Sequence, residues 1–205
     1  VVILGAPLAG YVAALLHPGL TVGESARLFL AVHLALPAIV CLLAWMMLFL
    51  VEGIEGVAAS AARVLAIPFA VAYTAFTAFG GIAIGAFVWK ANELRADRQR
   101  PAAELIHSVS HSALARPLYL VASLLWLAAM SAVVVALWSR TQAPRPALVL
   151  LAVGAAAFAR SHVRPWGPAG MAAVLAGVIW LELAARSSPE RRDEMEQSPS
   201  DVGSG

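Results

Sequence analysis

The chain has 205 residues, 61% of them hydrophobic and 13% charged, with a mean hydropathy of +0.81, whereas a soluble domain carries about 25% charged residues. This excludes an ordinary soluble domain and predicts an all-α, polytopic membrane helix bundle with the lipid bilayer as its first partner. The net charge is only +2 and no basic face is interleaved with aromatics, which excludes nucleic acid; the single Cys41 excludes an intrachain disulfide or a cysteine-only metal cage.

A helix needs roughly 20 apolar residues to cross a hydrocarbon core of about 30 Å. Measured against that length, the sequence predicts about six spans in a three-plus-three layout. Residues 1–16 form a short first span interrupted by Gly5, Pro7 and Gly10, ending at His17-Pro18. Thr21 or Ser25 is placed to cap the next helix. Residues 28–51 are the clearest span, with His33 as their only ionisable group. Glu52 to Ala62 reads as a small-residue turn before a third span over 64–89.

That third span changes from bulky leucines to small and aromatic residues. Gly81 and Gly85 form a GxxxG that lets a neighbouring helix approach closely. His33 with Tyr73, Thr74 and Thr77 could line a polar path, although hydrogen bonds to adjacent helices account for the hydroxyls equally well.

Residues 90–117 are the one long polar segment between spans. On a helical wheel Leu105, Ile106, Val109 and Ala113 fall on one side and Glu104, His107 and His111 on the other, so 101–115 is expected to lie at the interface as an amphipathic helix. Further spans follow over 118–138, 147–162 and 169–185. The fifth has only 13 apolar residues before Arg160, about 20 Å of helix; it spans if Arg160 snorkels, or else re-enters as a hairpin. In the last, Glu182 stands four residues before Arg186, the spacing of a helical ion pair. Residues 187–205, rich in Ser, Pro, Glu and Gly, predict a disordered polar tail.

With six spans, His17, His107, His111 and His162 lie in loops on one side, and His33 enters its span within two turns of that side. Glu104, His107 and His111 form one stripe whose spacing suits a divalent transition metal, with His162 or His17 as a further ligand. A surface stripe of this kind is more often a solvated polar face, and then no cofactor is needed. Haem would require two histidines at matching depth on facing helices, and only His33 is inside a span. The two loop sets carry eight and six Lys or Arg, which does not set an orientation.

The sequence contains no nucleotide-binding glycine loop, HExxH or GxSxG, and the spans contain no catalytic carboxylate pair. The expected role is therefore a non-enzymatic structural, accessory or sensing component, free to form a homo-oligomer or to join other membrane proteins. The alternatives are a small transporter with its site near His33, and a metal-binding or redox protein using the histidines of one face.

Three stretches, HLALP at 33–37, YTAFTAFGGIAIG at 73–85 and SHVRPWGPAGM at 161–171, resemble a loose group of small multi-pass membrane proteins from high-GC bacteria. The resemblance implies a fold layout in the bacterial cytoplasmic (inner) membrane. It implies no catalytic residue.

Overall fold

The structure, a computed structural model, describes residues 2–18, 26–110, 115–140 and 142–187. The expected cap at Thr21 or Ser25, His111 of the polar stripe and the tail beyond 187 lie outside these residues. Among the described residues the chain is all-α and has no strand. These residues form seven helices, α1 (Val2–Leu16), α2 (Ala26–Leu50), α3 (Val57–Asn92), α4 (Ala96–Ser110), α5 (Ala115–Arg140), α6 (Arg145–Arg160) and α7 (Trp166–Arg186). Within α3, Thr77–Ala83 is wound as a π-helix.

Six of the helices close into a ring in sequence order. Each of α1, α2, α3, α5, α6 and α7 packs on the next, and α7 returns to α1. The main core fills the ring with Phe69 and Tyr73 of α3, Trp126 and Met130 of α5, Leu151 of α6 and Met171 of α7, all essentially inaccessible. Trp126 donates its indole N–H to the Ala155 carbonyl 3.0 Å away, which satisfies the one polar group that burying this ring entails.

Four helices, α2, α3, α5 and α7, are long and apolar enough to cross a membrane. The other two expected spans are shorter. α1 has 15 residues and α6 has 16, so at about 1.5 Å per residue each reaches about 22–24 Å, short of a core of about 30 Å. In contrast α3, at 36 residues, runs well past the expected 64–89 in both directions. Its start is fixed by a turn in which Gly53 and Gly56 take positive φ, +70° and +119°. There the Arg63 guanidinium donates to the carbonyls of Val51 at 2.6 Å and Ile54 at 2.8 Å, capping the carbonyl end of α2.

The amphipathic helix exists and starts five residues earlier than expected, at Ala96 rather than 101; it is described as far as Ser110. Asp97 in the first turn favours the earlier start, and the bond that Pro101 cannot make would go to a carbonyl of that exposed turn, which water can serve. Ile106 packs in a small separate core with Ala26 of α2 and Ile84, Val88 and Ala91 of α3, so α4 lies across the end of the bundle where α2 begins. Leu105, expected on the same apolar side, is exposed. Glu182 and Arg186 sit four apart on α7 as expected, but no ion pair joins them among the described residues.

Candidate metal centre

Three histidines from distant parts of the sequence meet at this same end of the ring. His17 follows the last residue of α1, His33 lies in the second turn of α2, and His162 is in the short connection between α6 and α7. One nitrogen of each lies within 4.8 Å of the others. The rings stand edge to face, with centroids 4.8 Å apart for His17 and His33 and 5.3 Å for His17 and His162.

Local chemistry holds each ring. The His33 Nδ1–H donates to the Phe29 carbonyl one turn back at 2.8 Å, which leaves Nε2 with its lone pair. The His17 Nδ1–H donates in the same way to the Pro18 carbonyl at 2.9 Å. A carbonyl on the rear nitrogen is the usual device that fixes the tautomer and direction of a metal-ligating imidazole. His33 also needs space, which Gly81 of the π-helical turn supplies. A Cβ on Gly81 would lie 1.8 Å from His33 Cδ2, so the ring occupies the volume of the missing side chain. Gly85, one turn further, similarly faces Phe29 and Leu30 of α2. The GxxxG is thus the contact surface between α3 and α2.

His162 is held by its loop. Ser161 leaves α6 in an extended conformation and its Oγ accepts from the Val163 N–H at 3.3 Å. The Gly167 N–H donates to the Val163 carbonyl at 2.8 Å, and a Cβ on Gly167 would sit 2.0 Å from the His162 carbonyl oxygen. The Arg164 guanidinium donates to the Leu15 carbonyl, tying this loop to the end of α1 two residues before His17.

The surroundings are apolar and aromatic. Phe29 stacks on His33, with centroids 4.1 Å apart, and His162 lies edge-on to Phe76 at 5.5 Å and near Tyr119 at 5.5 Å. His33 is buried, and although His17 and His162 are only half-buried as whole residues, His17 Nε2 and His162 Nδ1 are out of solvent with no hydrogen-bond partner. Burial holds the His17 imidazole below its ordinary range and pushes that of His162 down to about 3, with the neighbouring His17 and His33 adding to the effect. Both rings are therefore neutral at physiological pH, the form that ligates metal.

Two more unpartnered polar atoms are buried beside them, Tyr73 Oη and Thr77 Oγ1. Tyr73, Thr77 and Gly81 are successive buried positions on one side of α3. Tyr73 approaches the His162 ring, with centroids 6.3 Å apart, and Gly81 touches His33, so Thr77 lies between two of the histidines. Thr74 is half-buried on a neighbouring side.

Of the ligand set read from the sequence, His111 lies outside the described residues and the other three do not come together. Glu104 is exposed and paired with Arg100 at 3.1 Å, and His107 is exposed on the same face of α4. Among the described residues His162 instead groups with His17 and His33. The sequence predicts these three on one side of the membrane. Its strongest local signal is the i, i+4 spacing of His107 and His111, whereas the centre is made where α7 packs back on α1 and α1 on α2.

No protein-family model, curated protein or solved structure matches this chain.

Proposed function

We propose that the protein is a six-span component of the bacterial cytoplasmic membrane that binds one divalent transition-metal ion at His17, His33 and His162, in an accessory or sensing role. The supporting observation is the pair of buried, unpartnered ring nitrogens on His17 and His162 facing His33, whose own Nδ1 is already committed to a carbonyl. Buried polar atoms are nearly always satisfied, and leaving one unsatisfied costs about 1–3 kcal/mol. A shared cation satisfies these together. Zinc–nitrogen bonds of about 2.0–2.1 Å in tetrahedral geometry put ligand nitrogens roughly 3.4 Å apart, so the rings need to draw in by about 1.4 Å at most from their present separation. Three imidazoles and no thiolate suit Zn²⁺, Co²⁺, Ni²⁺ or Cu²⁺ better than Mg²⁺ or Ca²⁺.

The test is metal titration of the detergent-purified, chelator-treated protein with Zn²⁺ and Co²⁺. One equivalent binds, and His17→Ala, His33→Ala and His162→Ala each weaken binding at least about tenfold, the lower end for disturbing a metal's ligand environment, whereas His107→Ala leaves it unchanged. Sub-stoichiometric binding by the wild type, or wild-type affinity in all three variants, would overturn the reading.

A further inference from the structure

The centre has three histidines and a space beside two of them, His17 and His162. A cavity of about 10 Å³ is bounded by Gly10, Ala13 and Ala14 of α1, by aliphatic side chains of α2, and by His17, His162 and Tyr73. That is room for about one water molecule. Small residues on one helix leave the gap, and among the described residues the phenol of α3 is the one hydroxyl-bearing side chain at its wall.

The charge of the set requires something there. Three neutral imidazoles leave a bound dication with its full double charge, and among the described residues the group includes no carboxylate or thiolate. An uncompensated charge in so apolar a place is strongly disfavoured. A small anion entering as fourth ligand lowers that cost and completes a tetrahedron, and the unpartnered Tyr73 hydroxyl at the cavity wall can donate a hydrogen bond to it.

We infer that the metal at His17, His33 and His162 keeps an open fourth position which takes an inorganic anion of one heavy atom, hydroxide or a halide of water's size, with Tyr73 as its hydrogen-bond donor. This rests on the metal-site reading. It differs from a closed structural site, in which protein side chains occupy all four positions. Tyr73 is a positioning residue here, and the metal is held without it.

The experiment uses the full chain loaded with Co²⁺, whose visible absorption reports coordination, and fluoride, an anion of about water's size, as the probe. Fluoride shifts the spectrum saturably. Tyr73→Phe binds one equivalent of Co²⁺ as before but weakens fluoride about threefold to tenfold, the effect of one lost hydrogen bond. Ala14→Val, which intrudes on the cavity and leaves the ligands and Tyr73 in place, weakens fluoride while retaining Co²⁺. A stoichiometric Co²⁺ spectrum that fluoride does not move overturns this inference and leaves the metal site standing. Unchanged fluoride affinity in Tyr73→Phe, or a phenolate charge-transfer band that Tyr73→Phe abolishes, overturns the role of Tyr73 as donor. Failure to bind Co²⁺ at all overturns both readings.

Discussion

At His33 the decisive detail is which nitrogen is occupied. A core histidine satisfies both ring nitrogens among its neighbours, whereas here Nδ1 is used on the Phe29 carbonyl and the ring lies beside two others, each of which keeps one buried nitrogen without a partner. In the metal-free protein that arrangement has a definite pH dependence. The folded state keeps the His17 and His162 rings neutral, His162 down to about pH 3, while in an unfolded chain both protonate near pH 6.5. The unfolded state therefore binds more protons below about 6.5, so stability is complete above that pH, falls as the pH drops towards 3 and levels off below it. Thermal melts of apo-protein in detergent should show this slope, and His162→Gln should make it shallower. Equal slopes for variant and wild type between pH 7 and 4 would contradict it. The sequence carried half of this site. It showed an ionisable residue in an apolar span and the side on which the histidines lie, but the convergence depends on α7 packing back on α1, a contact between residues about 150 positions apart that no local spacing encodes.

Helix α3 is the element that shapes the site, and its sequence shows why. The switch from leucines to YTAFTAFGGIAIG removes side-chain bulk on the side facing α2, and the π-helical turn at Thr77–Ala83 falls within it; single wide turns of this kind occur often at functional sites. Gly81 then admits the His33 ring. In an ordinary helix Gly→Ala gains up to about 1 kcal/mol from propensity. At Gly81 the sign reverses, because the added methyl would fall within the His33 ring and forced overpacking costs about 1–3 kcal/mol. Gly81→Ala should lower the melting temperature and also weaken metal binding by displacing His33, whereas alanine at Gly5, which has nothing within 4 Å of the added carbon, should be neutral or stabilising. A melting temperature for Gly81→Ala at or above wild type would show that α2 and α3 are not packed as described. The GxxxG was legible as a packing surface. The ring it accommodates was not, since a glycine pair states that something comes close without stating what.

For the molecule as a whole, the number of crossings turns on the two short ring helices, α1 and α6, and α6 is the one whose two ends carry information. Its 16 residues reach about 24 Å at about 1.5 Å per residue, too short for an unaided crossing, and the sequence left spanning and re-entrant paths open for this reason. The two ends of the helix favour crossing. The Arg145 guanidinium lies 5.4 Å from the centre of the Trp138 ring at one end, and that of Arg160 lies 4.8 Å from the Trp166 ring at the other. Cation–aromatic pairs at both ends are the anchors expected at two membrane interfaces, where arginines snorkel and tryptophans settle at headgroup depth. The bilayer can thin around a short helix held in this way. In addition, α6 packs along α7, an apolar helix of full length, with a Cβ on Gly154 falling only 2.7 Å from the Gly170 carbonyl, so the two run in close contact. In a Cys41→Ala background, Gln142→Cys and Ser161→Cys should therefore be labelled by an impermeant maleimide from opposite sides of oriented vesicles. Labelling of both from the same side would make α6 re-entrant. It would also separate the face that carries His17 and His162 from the assignment of six crossings, while leaving the three-histidine geometry unchanged, because that geometry depends on the closure of the ring and not on the depth of α6.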